Sequence, residues 1–557
     1  MSSLVTRSDN VHWIDKLSEE IISLVDSEKV KEPIVLNGGL SVSGLQHVGR
    51  LRGEIVLVNA IKRLLEERGI KAKQSLVLYT KDPWKGKPTQ LSQFSDIEEG
   101  KKFVGWPLHM VPDPHGCCES WVEHYWHDFG DYLDEFAEGV EVLKTHDMYT
   151  SNERMKEFVK LAIIKRREVI TVLNKYRGRK PLPSNWIPFE PVCESCHRID
   201  STEATDFDLE NYKVTYKCNY CGYQGETRME QGKLAWRLEW VGVWYALNVT
   251  FEPFGKDHAV PGGSRDSCND LAINVFNLKP PLGTAYEWVG YVKDGKDLGD
   301  MGSSDFIGFT PKEWIEVAEP EVLRFLYLLS YPMKRILLGL ERIPSYVEQY
   351  DKAERVYYGK ELVKSSEREK LLKRSFELAQ VKPLPKEMPF QLPYLHAVAL
   401  VQTLPKSGDL VEEAIKRLRA TKKISGDLDS ESLERIKRRL KLARTWLERH
   451  APEIYQIEVL KELNKDVLEE IPLNVVGLLK SLYDNLRRVE WRDEEIKEAM
   501  IKVPKKKGRE EKEFFKALYL IYFGKPYGPR IAPYLSMLDK EFVLNRLRKA
   551  ILIRSSL

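Results

Sequence analysis

The stretch that decides the fold reads Gly38-Gly39-Leu40-Ser41-Val42-Ser43-Gly44-Leu45-Gln46-His47-Val48-Gly49. It follows the apolar run Pro33-Ile34-Val35-Leu36, and it precedes a segment from Leu51 to Leu65 whose apolar residues recur at helical spacing. The pattern predicts a strand, a glycine-rich turn and a helix. Small residues let a ligand approach the backbone, and a helix N-terminus directs its N–H groups at an anion. The stretch therefore predicts a phosphate site at the start of the helix.

A second strand is predicted at Gln74-Ser75-Leu76-Val77-Leu78-Tyr79-Thr80, which completes a βαβ unit and favours a parallel sheet. Strand-like residues return at Trp236-Arg237-Leu238-Glu239-Trp240 and at Tyr286-Glu287-Trp288-Val289-Gly290-Tyr291. From Pro320 onward amphipathic helices dominate, including segments 433–449 and 475–489. We therefore expect an α/β fold in which a Rossmann-like parallel-sheet domain carries a zinc-bearing insertion and is followed by an all-α C-terminal region.

This organisation predicts five parts. The first half of the parallel-sheet domain, with its N-terminal helix, covers 1–82, and the insertion covers 83–230. The second half covers 231–330, a helical connecting domain covers 331–410, and the last all-α domain covers 411–557.

Composition and cysteine placement limit the class of protein. The 557 residues carry a net charge of only +3, so a nucleic-acid surface has to be a local patch, such as Arg435–Arg439 or Lys505–Lys507. The N-terminus lacks a signal pattern and no run is long enough to cross a bilayer. Six of seven cysteines fall in two tight clusters, whereas Cys268 stands alone and is expected to be a buried thiol. We therefore expect a cytoplasmic protein without a membrane partner.

Four cysteines form two CxxC pairs across a short ribbon. Cys193 and Cys196 make one pair, and Cys218 and Cys221 make the other. Each pair presents two thiolates to one tetrahedral ion, which is the usual arrangement of structural zinc. A redox site needs only one CxxC pair, so this pattern indicates zinc.

The other cysteine cluster is Cys117-Cys118, with Asp113 before it and His124 after it. A carboxylate, two thiols and an imidazole can close a mixed metal site. The residues alone leave two alternatives open. His115 and His127 compete as ligands, and the two cysteines could instead be a buried pair beside exposed histidines.

The turn Ser43-Gly44-Leu45-Gln46-His47-Val48-Gly49 resembles the first signature of class I aminoacyl-tRNA synthetases, and the archaeal-type class I lysyl-tRNA synthetases in particular. Further stretches follow in family order along nearly the whole chain. They are Asp113–Ser120 with His124, Phe251–His258, Tyr286–Gly290, Ala353–Gly359 and Gly524–Arg530.

The resemblance implies specific roles. It implies ATP with Mg2+, lysine and tRNA(Lys) as partners, two structural zinc ions, an anticodon-binding role for 411–557 and a monomeric enzyme. The implied catalytic residues are His47, Gly49, Ser303 and Ser304. The implied ATP-binding residues are Ser43, Gly44, His47, Arg50 and Met301, and the implied lysine-binding residues are Gly39, Ser41, Trp236, His258 and Tyr286. The implied second zinc site is Asp113, Cys117, Cys118 and His124.

The chain departs from the family at its second signature loop, Asp300-Met301-Gly302-Ser303-Ser304-Asp305. Aspartates stand where the family has two lysines that neutralise charge on the triphosphate. An anion there is expected to repel ATP, unless Lys293, Lys296 or Lys312 substitutes. In the first signature, Arg50 replaces Asn and Gly53 replaces Glu, with Glu54 one place later.

Three functions follow as hypotheses. The first is a lysine-tRNA ligase that forms lysyl-adenylate and transfers lysine to tRNA(Lys). The second is a degenerate paralogue that binds tRNA, RNA or lysine without adenylation. The third is a ligase that transfers an adenylated amino acid to another acceptor.

Overall fold

The computed structural model describes residues 12–27, 29–178, 180–404, 409–460, 462–504 and 508–556. Two segments discussed above lie outside the described residues: Lys505–Lys507, which is one of the two expected basic patches, and residues 1–11 at the N-terminus. The chain divides into two compact units. The first comprises Met1–Trp314, Glu319–Leu338 and Leu362–Leu384, and the second comprises Ile315–Ala318, Gly339–Glu361 and Pro385–Leu557.

All strands that the structure describes lie in the first unit. They are β1 (Ile34–Leu40), β2 (Ala72–Leu78), β3 (Glu141–Lys144), β4 (Phe189–Pro191), β5 (Thr202–Asp208), β6 (Lys213–Cys218), β7 (Gln224–Arg228), β8 (Gly232–Leu234), β9 (Val249–Phe251), β10 (Phe254–Gly255), β11 (Ala285–Tyr286), β12 (Val289–Lys293), β13 (Lys296–Asp300) and β14 (Ile336–Leu338).

The helices fall in both units. As far as residue 329 they are α1 (Trp13–Asp26), α2 (Val58–Glu67), α3 (Pro88–Leu91), α4 (Ile97–Lys101), α5 (Trp121–Gly130), α6 (Leu133–Phe136), α7 (Thr145–Ser151), α8 (Glu153–Ile164), α9 (Arg166–Lys175), α10 (Trp236–Leu247), α11 (Ser264–Asn274), α12 (Pro311–Ile315) and α13 (Pro320–Leu329). The remainder are α14 (Ile343–Tyr357), α15 (Ser366–Ala379), α16 (Tyr394–Thr403), α17 (Leu410–Ala420), α18 (Ser430–Arg449), α19 (Lys465–Glu469), α20 (Leu473–Arg488), α21 (Asp493–Ile501), α22 (Arg509–Phe523), α23 (Ile531–Met537) and α24 (Lys540–Ser556). Of these, α15 belongs to the first unit.

A four-stranded parallel sheet organises the first unit. Its order is β3-β2-β1-β9, and β1 pairs with β2 over its full length. The α/β class with a parallel sheet and a helical C-terminal region is thus confirmed. One of its strands, β3, comes from the range predicted as insertion, so that range also contributes to the sheet. The division into five parts stays a prediction.

The predicted strand at 236–240 is wrong, because these residues open the helix α10. Trp236, Leu238 and Trp240 alternate with polar residues and so imitate a strand over five positions. The helix is apolar around much of its circumference, and residues 238–244 are all buried. It packs against α8 and α11 in the core, where Phe158 and Leu271 join Trp244. A helix buried on several sides gives no clear period of 3.6 residues.

The predicted helix after the opening turn is present, with an irregular start. It begins as a 3-10 turn at Val48–Arg50, continues as a π-helical stretch at Arg52–Leu57 and becomes regular in α2. Such π-helical insertions occur frequently at functional sites. Here the irregular turns place Arg50 and Glu54 beside the end of β1.

Candidate functional site

A cavity of about 680 Å³ lies at the carboxyl ends of β1, β2 and β9. This edge of a parallel sheet is where open α/β folds bind ligands. The sequence-predicted residues that line it are Gly39, Ser41, Ser43, His47, Gly49, Arg50, Trp236, His258, Tyr286, Met301, Ser303 and Ser304. The structure thus brings together, around one cavity, residues that are up to 265 positions apart in the sequence. Their individual roles stay predictions.

Gly44 is the one predicted ligand residue that does not line this cavity. It has a φ of +156°, and a Cβ built there would lie 2.5 Å from the carbonyl oxygen of Ser303. The glycine therefore permits close packing between the opening turn and the second signature loop. Its predicted role in binding ATP stays a prediction.

His47 is buried at the start of the helix, and its Nδ1 has no hydrogen-bond partner. Burial holds the pKa of the imidazole well below its usual range, and the neighbouring Arg50 lowers it further. A neutral ring can donate one hydrogen bond to a phosphate oxygen, but it supplies no positive charge. The cation nearby is Arg50, whose Nε donates to Ser303 Oγ at 2.8 Å.

Glu54 provides a buried carboxylate on the cavity wall. Its Oε1 accepts a hydrogen bond from the Tyr286 hydroxyl, whereas its Oε2 has no partner. Burial raises the pKa of Glu54 to about 7, although the tyrosine and Arg50 favour the ionised form. Gly53 makes this arrangement possible, because a Cβ at that position would lie 2.2 Å from the Tyr286 ring. An unpaired carboxylate in a cavity is suited to an ammonium group.

Aromatic rings form the adjacent wall. Trp236 stacks on Trp240 with ring centroids 5.4 Å apart, and both lie close to His258, at 5.7 Å and 5.1 Å. Burial lowers the pKa of His258, so the ring is neutral at pH 7. These rings can contact an alkyl chain and attract a cation.

Glu252 is a site residue that the sequence reasoning missed. It lies just after β9 and lines the cavity. Its Oε1 accepts from Asn37 Nδ2 at 2.9 Å, and its Oε2 accepts from Trp240 Nε1 at 3.0 Å and also from Trp244 Nε1. The carboxylate therefore holds the aromatic wall against β1. In the sequence, Glu252 could have been noticed as an acidic residue between Phe251 and Pro253, because a carboxylate is unusual beside a short apolar strand.

The two aspartates of the second signature loop are each paired with a cation. Asp300 Oδ1 lies 2.6 Å from Arg335 Nε, and Lys256 is 4.0 Å from its other oxygen. Asp305 pairs with Lys87 Nζ at 2.9 Å. Other parts of the chain thus supply counterions to both aspartates, and the expected repulsion of ATP by this loop stays a prediction.

The three lysines expected as substitutes do not line this cavity. Lys293 and Lys296 face each other across the β12–β13 hairpin. Lys312 pairs with Asp128 at 3.1 Å. Lys85 lines the cavity instead.

The four cysteines of the CxxC pairs converge on one point. Their Sγ atoms lie within 4.8 Å of one another, and the Cys193–Cys221 and Cys196–Cys218 distances are both 3.7 Å. Tetrahedral zinc with bonds of about 2.3 Å places its sulfurs about 3.8 Å apart. These distances are too long for a disulfide. The geometry fits a metal held between the loop before β5 and the β6–β7 turn.

The second predicted metal set also converges. Asp113, Cys117, Cys118 and His124 each place a ligand atom within 4.8 Å of the others. The Cys117 and Cys118 sulfurs are 3.5 Å apart, and Cys117 Sγ lies 3.2 Å from His124 Nδ1. Of the competing ligands, His115 stacks on the His124 ring, and His127 lies between Asp128 and Asp131.

The second unit has a groove of about 530 Å³ with mixed aromatic and basic walls. Its lining residues are Gly508, Glu511, Lys512, Phe515, Lys516, Tyr519, Pro526, Tyr527 and Gly528. By contrast, most basic residues of the expected patch at Arg435–Arg439 form ion pairs within the protein. Arg439 is buried and pairs with Asp351 at 3.0 Å, and Arg435 pairs with Glu354 at 2.8 Å.

Across the described residues, no helix is both long and apolar enough to span a membrane. Cys268 is buried in α11, as expected.

Comparison with known proteins gives consistent matches. The sequence pattern of the family described as "tRNA synthetases class I (K)" matches residues 11–382, and that described as "Anticodon binding domain" matches residues 409–551. A lysine–tRNA ligase from Aeropyrum pernix is 45% identical over 544 residues, covering 97% of this chain and 98% of the relative. Those from Methanocaldococcus jannaschii and Thermococcus kodakarensis are 32% and 34% identical, with 96% and 97% of this chain and 99% of each relative covered.

Proposed function

This chain belongs to the class I lysine-tRNA synthetase family, and from that premise we propose that it activates lysine with ATP and transfers the lysyl group to tRNA(Lys). The observation that carries the proposal is the cavity at the sheet edge, where an unpaired buried carboxylate and the two signature segments meet.

Lysine fits the inner part of this cavity. Glu54 Oε2 is the acceptor for the ε-ammonium group, and Tyr286 orients that carboxylate. The Trp236 and His258 rings cover the alkyl chain. A neutral analogue leaves the Glu54 charge unpaired in a buried site, which excludes amino acids without a side-chain cation. Gly39 and Ser41 lie at the end of β1, where the α-amino and α-carboxylate groups of lysine bind.

ATP binds along the opening turn. A Cβ at Gly49 would lie 2.9 Å from the His47 ring, so the glycine leaves space for that ring beside the turn. His47 donates to a phosphate oxygen, Arg50 adds charge, and Ser43, Met301, Ser303 and Ser304 shape the pocket. A lysine carboxylate oxygen attacks the α-phosphorus, and pyrophosphate leaves. The enzyme contributes position and charge, without a protein nucleophile.

The second unit binds the tRNA through the groove at α22. Phe515, Tyr519 and Tyr527 offer faces on which bases stack, and Lys512 and Lys516 lie beside them. Both metal sets hold structural zinc, which fixes the ribbon of β5–β7 and the loop before α5. The protein works in the cytoplasm as a monomer, and sedimentation of the pure chain tests the latter.

Lysine-dependent exchange between ATP and labelled pyrophosphate tests the proposal. The folded, zinc-loaded chain is expected to catalyse exchange with lysine and not with norleucine, which has a similar shape but no ammonium group. A chain that is folded, holds zinc and gives no exchange is instead the degenerate paralogue.

A further inference from the structure

A short segment of the predicted insertion, Lys85–Gln90, contacts both signatures of the nucleotide site. Gln90 Nε2 donates to the Ser43 carbonyl oxygen of the opening turn at 2.7 Å. Thr89 Oγ1 donates to the Ser304 carbonyl oxygen of the second signature loop at 2.6 Å. We name this segment the strap. Because Gln90 is fully buried, the strap is anchored against the site.

The strap carries two lysines in different situations. Lys87 Nζ lies 2.9 Å and 3.1 Å from the two carboxylate oxygens of Asp305. Both side chains are partly exposed, 37% for Lys87 and 49% for Asp305. Lys85 is exposed and lines the cavity, and no ion pair or hydrogen bond joins it to another described residue.

The second signature loop brings no cation of its own to the triphosphate. Residues 300–305 contain two aspartates and no lysine or arginine. Asp300 is held by Arg335, which also binds Asp297 at 2.6 Å. Asp305 lines the cavity, whereas Lys87 does not line it and lies next to it through its ion pair with Asp305. An exposed pair of this kind is weak and can exchange partners at little cost.

We propose that Lys85 and Lys87 of the strap supply the positive charge for the β- and γ-phosphates that the signature lysines supply elsewhere in the family. Asp305 is the counterion that Lys87 leaves when the triphosphate binds. This inference rests on the proposed function. In the reaction, a bond forms between the lysine carboxylate oxygen and the α-phosphorus, and the bond from that phosphorus to the bridging oxygen breaks. Pyrophosphate takes the electron pair, and both strap lysines stay protonated.

Alanine substitution of the two lysines tests the proposal. In Lys85→Ala with Lys87→Ala, kcat/KM for ATP in the exchange reaction is expected to fall roughly tenfold to a hundredfold, with KM for lysine unchanged. The matched control is Lys101→Ala, since Lys101 is an exposed lysine of α4 in the same insertion that pairs with Glu98 outside the cavity. Arginine at both positions is expected to restore most of the rate. A double alanine variant within about twofold of the parent would overturn the proposal.

Asp305→Asn separates a phosphate ligand from a structural ion pair. If the pair only holds the loop, Lys87→Ala and Asp305→Asn remove the same interaction and lower exchange alike. If Lys87 binds phosphate, the two changes act in opposite directions: Lys87→Ala raises KM for ATP, and Asp305→Asn leaves it unchanged or lowers it. Parallel losses would contradict the proposal.

A measurement of nucleotide binding tests the role of the two strap lysines without requiring catalysis. A non-hydrolysable ATP analogue is expected to raise the melting temperature of the parent, and the double alanine variant is expected to lose this shift. Should the parent bind the analogue and yet give no exchange, the proposed function fails while this measurement still decides the role of the strap. An undiminished shift in the variant would refute that role.

Discussion

At the scale of single residues, Glu54 is a buried carboxylate that is only partly satisfied by hydrogen bonds. It is buried, it accepts one hydrogen bond from Tyr286, and its second oxygen has no partner. A buried carboxylate in this state is costly until a cation arrives. The proposed recognition of lysine by Glu54 therefore requires this carboxyl group to be ionised.

The pH dependence of lysine binding follows from this. Burial raises the pKa of Glu54 to about 7, so the carboxylate is ionised above that pH and protonated below it. Because only the ionised form pairs with ammonium, KM for lysine is expected to rise about tenfold from about pH 8 to about pH 6 in the exchange assay. In Glu54→Gln the KM for lysine is high at both values. Glu66→Gln on α2, at an exposed glutamate paired with Lys62, retains the parent's profile. A flat profile in the parent would remove Glu54 from lysine recognition.

A substitution at Gly53 tests the contact between Tyr286 and Glu54 by displacing the tyrosine ring. In Gly53→Ala the new Cβ meets the Tyr286 ring, so the ring has to move away from Glu54. We expect a loss of about 1–3 kcal/mol in the free energy of unfolding and a raised KM for lysine. Gly477→Ala is the control, since its Cβ meets no atom within 4 Å and the residue lies within α20. That change should stabilise the protein by about 0.5–1 kcal/mol. Equal effects of the two substitutions in chemical denaturation would contradict this account.

At the scale of elements, the two candidate metal sets lie in or beside short loops, which bound zinc would hold in place. Cys193, Cys218 and Tyr216 form a small separate cluster beneath the ribbon. The pure protein is expected to contain two zinc ions per chain by mass spectrometry, and either Cys193→Ser or Cys118→Ser should lower this to one. Cys268→Ser should retain both ions, because Cys268 lies in neither set. Full zinc content in Cys118→Ser would remove the second site.

The elements also show how far sequence reasoning reaches. The strand, turn and helix at 33–65 could be predicted because an apolar run, a glycine-rich turn and apolar residues at helical spacing are local features of the sequence. The helix α10 was missed because its burial on several sides hides its period. The partners of Asp300 and Asp305 could not be found, since Arg335 and Lys87 come from distant parts of the sequence and only the fold brings them together. The four cysteines of the CxxC pairs were predictable from their spacing, whereas the second metal set was predicted only through the resemblance to the family.

At the scale of the whole molecule, the proposed function assigns activation of lysine to the first unit and recognition of tRNA to the second. Substitutions in the groove of the second unit should therefore affect only the step that involves tRNA. In Tyr527→Ala with Lys512→Ala we expect the rate of tRNA charging to fall roughly tenfold or more, with lysine-dependent exchange unchanged. Lys480→Ala, an exposed lysine of α20 outside the groove, should leave both reactions unchanged. Loss of exchange in the groove variant would show that the division is incorrect.

The central claim is that the whole chain, with aspartates in its second signature loop, is a working lysine–tRNA ligase. Charging of a tRNA(Lys) transcript with radiolabelled lysine and ATP measures this most directly. The account predicts that lysyl-tRNA accumulates and that omission of ATP abolishes it. Lysine-dependent exchange without any lysyl-tRNA would indicate transfer to another acceptor, and the absence of both from folded, zinc-loaded protein would contradict the account.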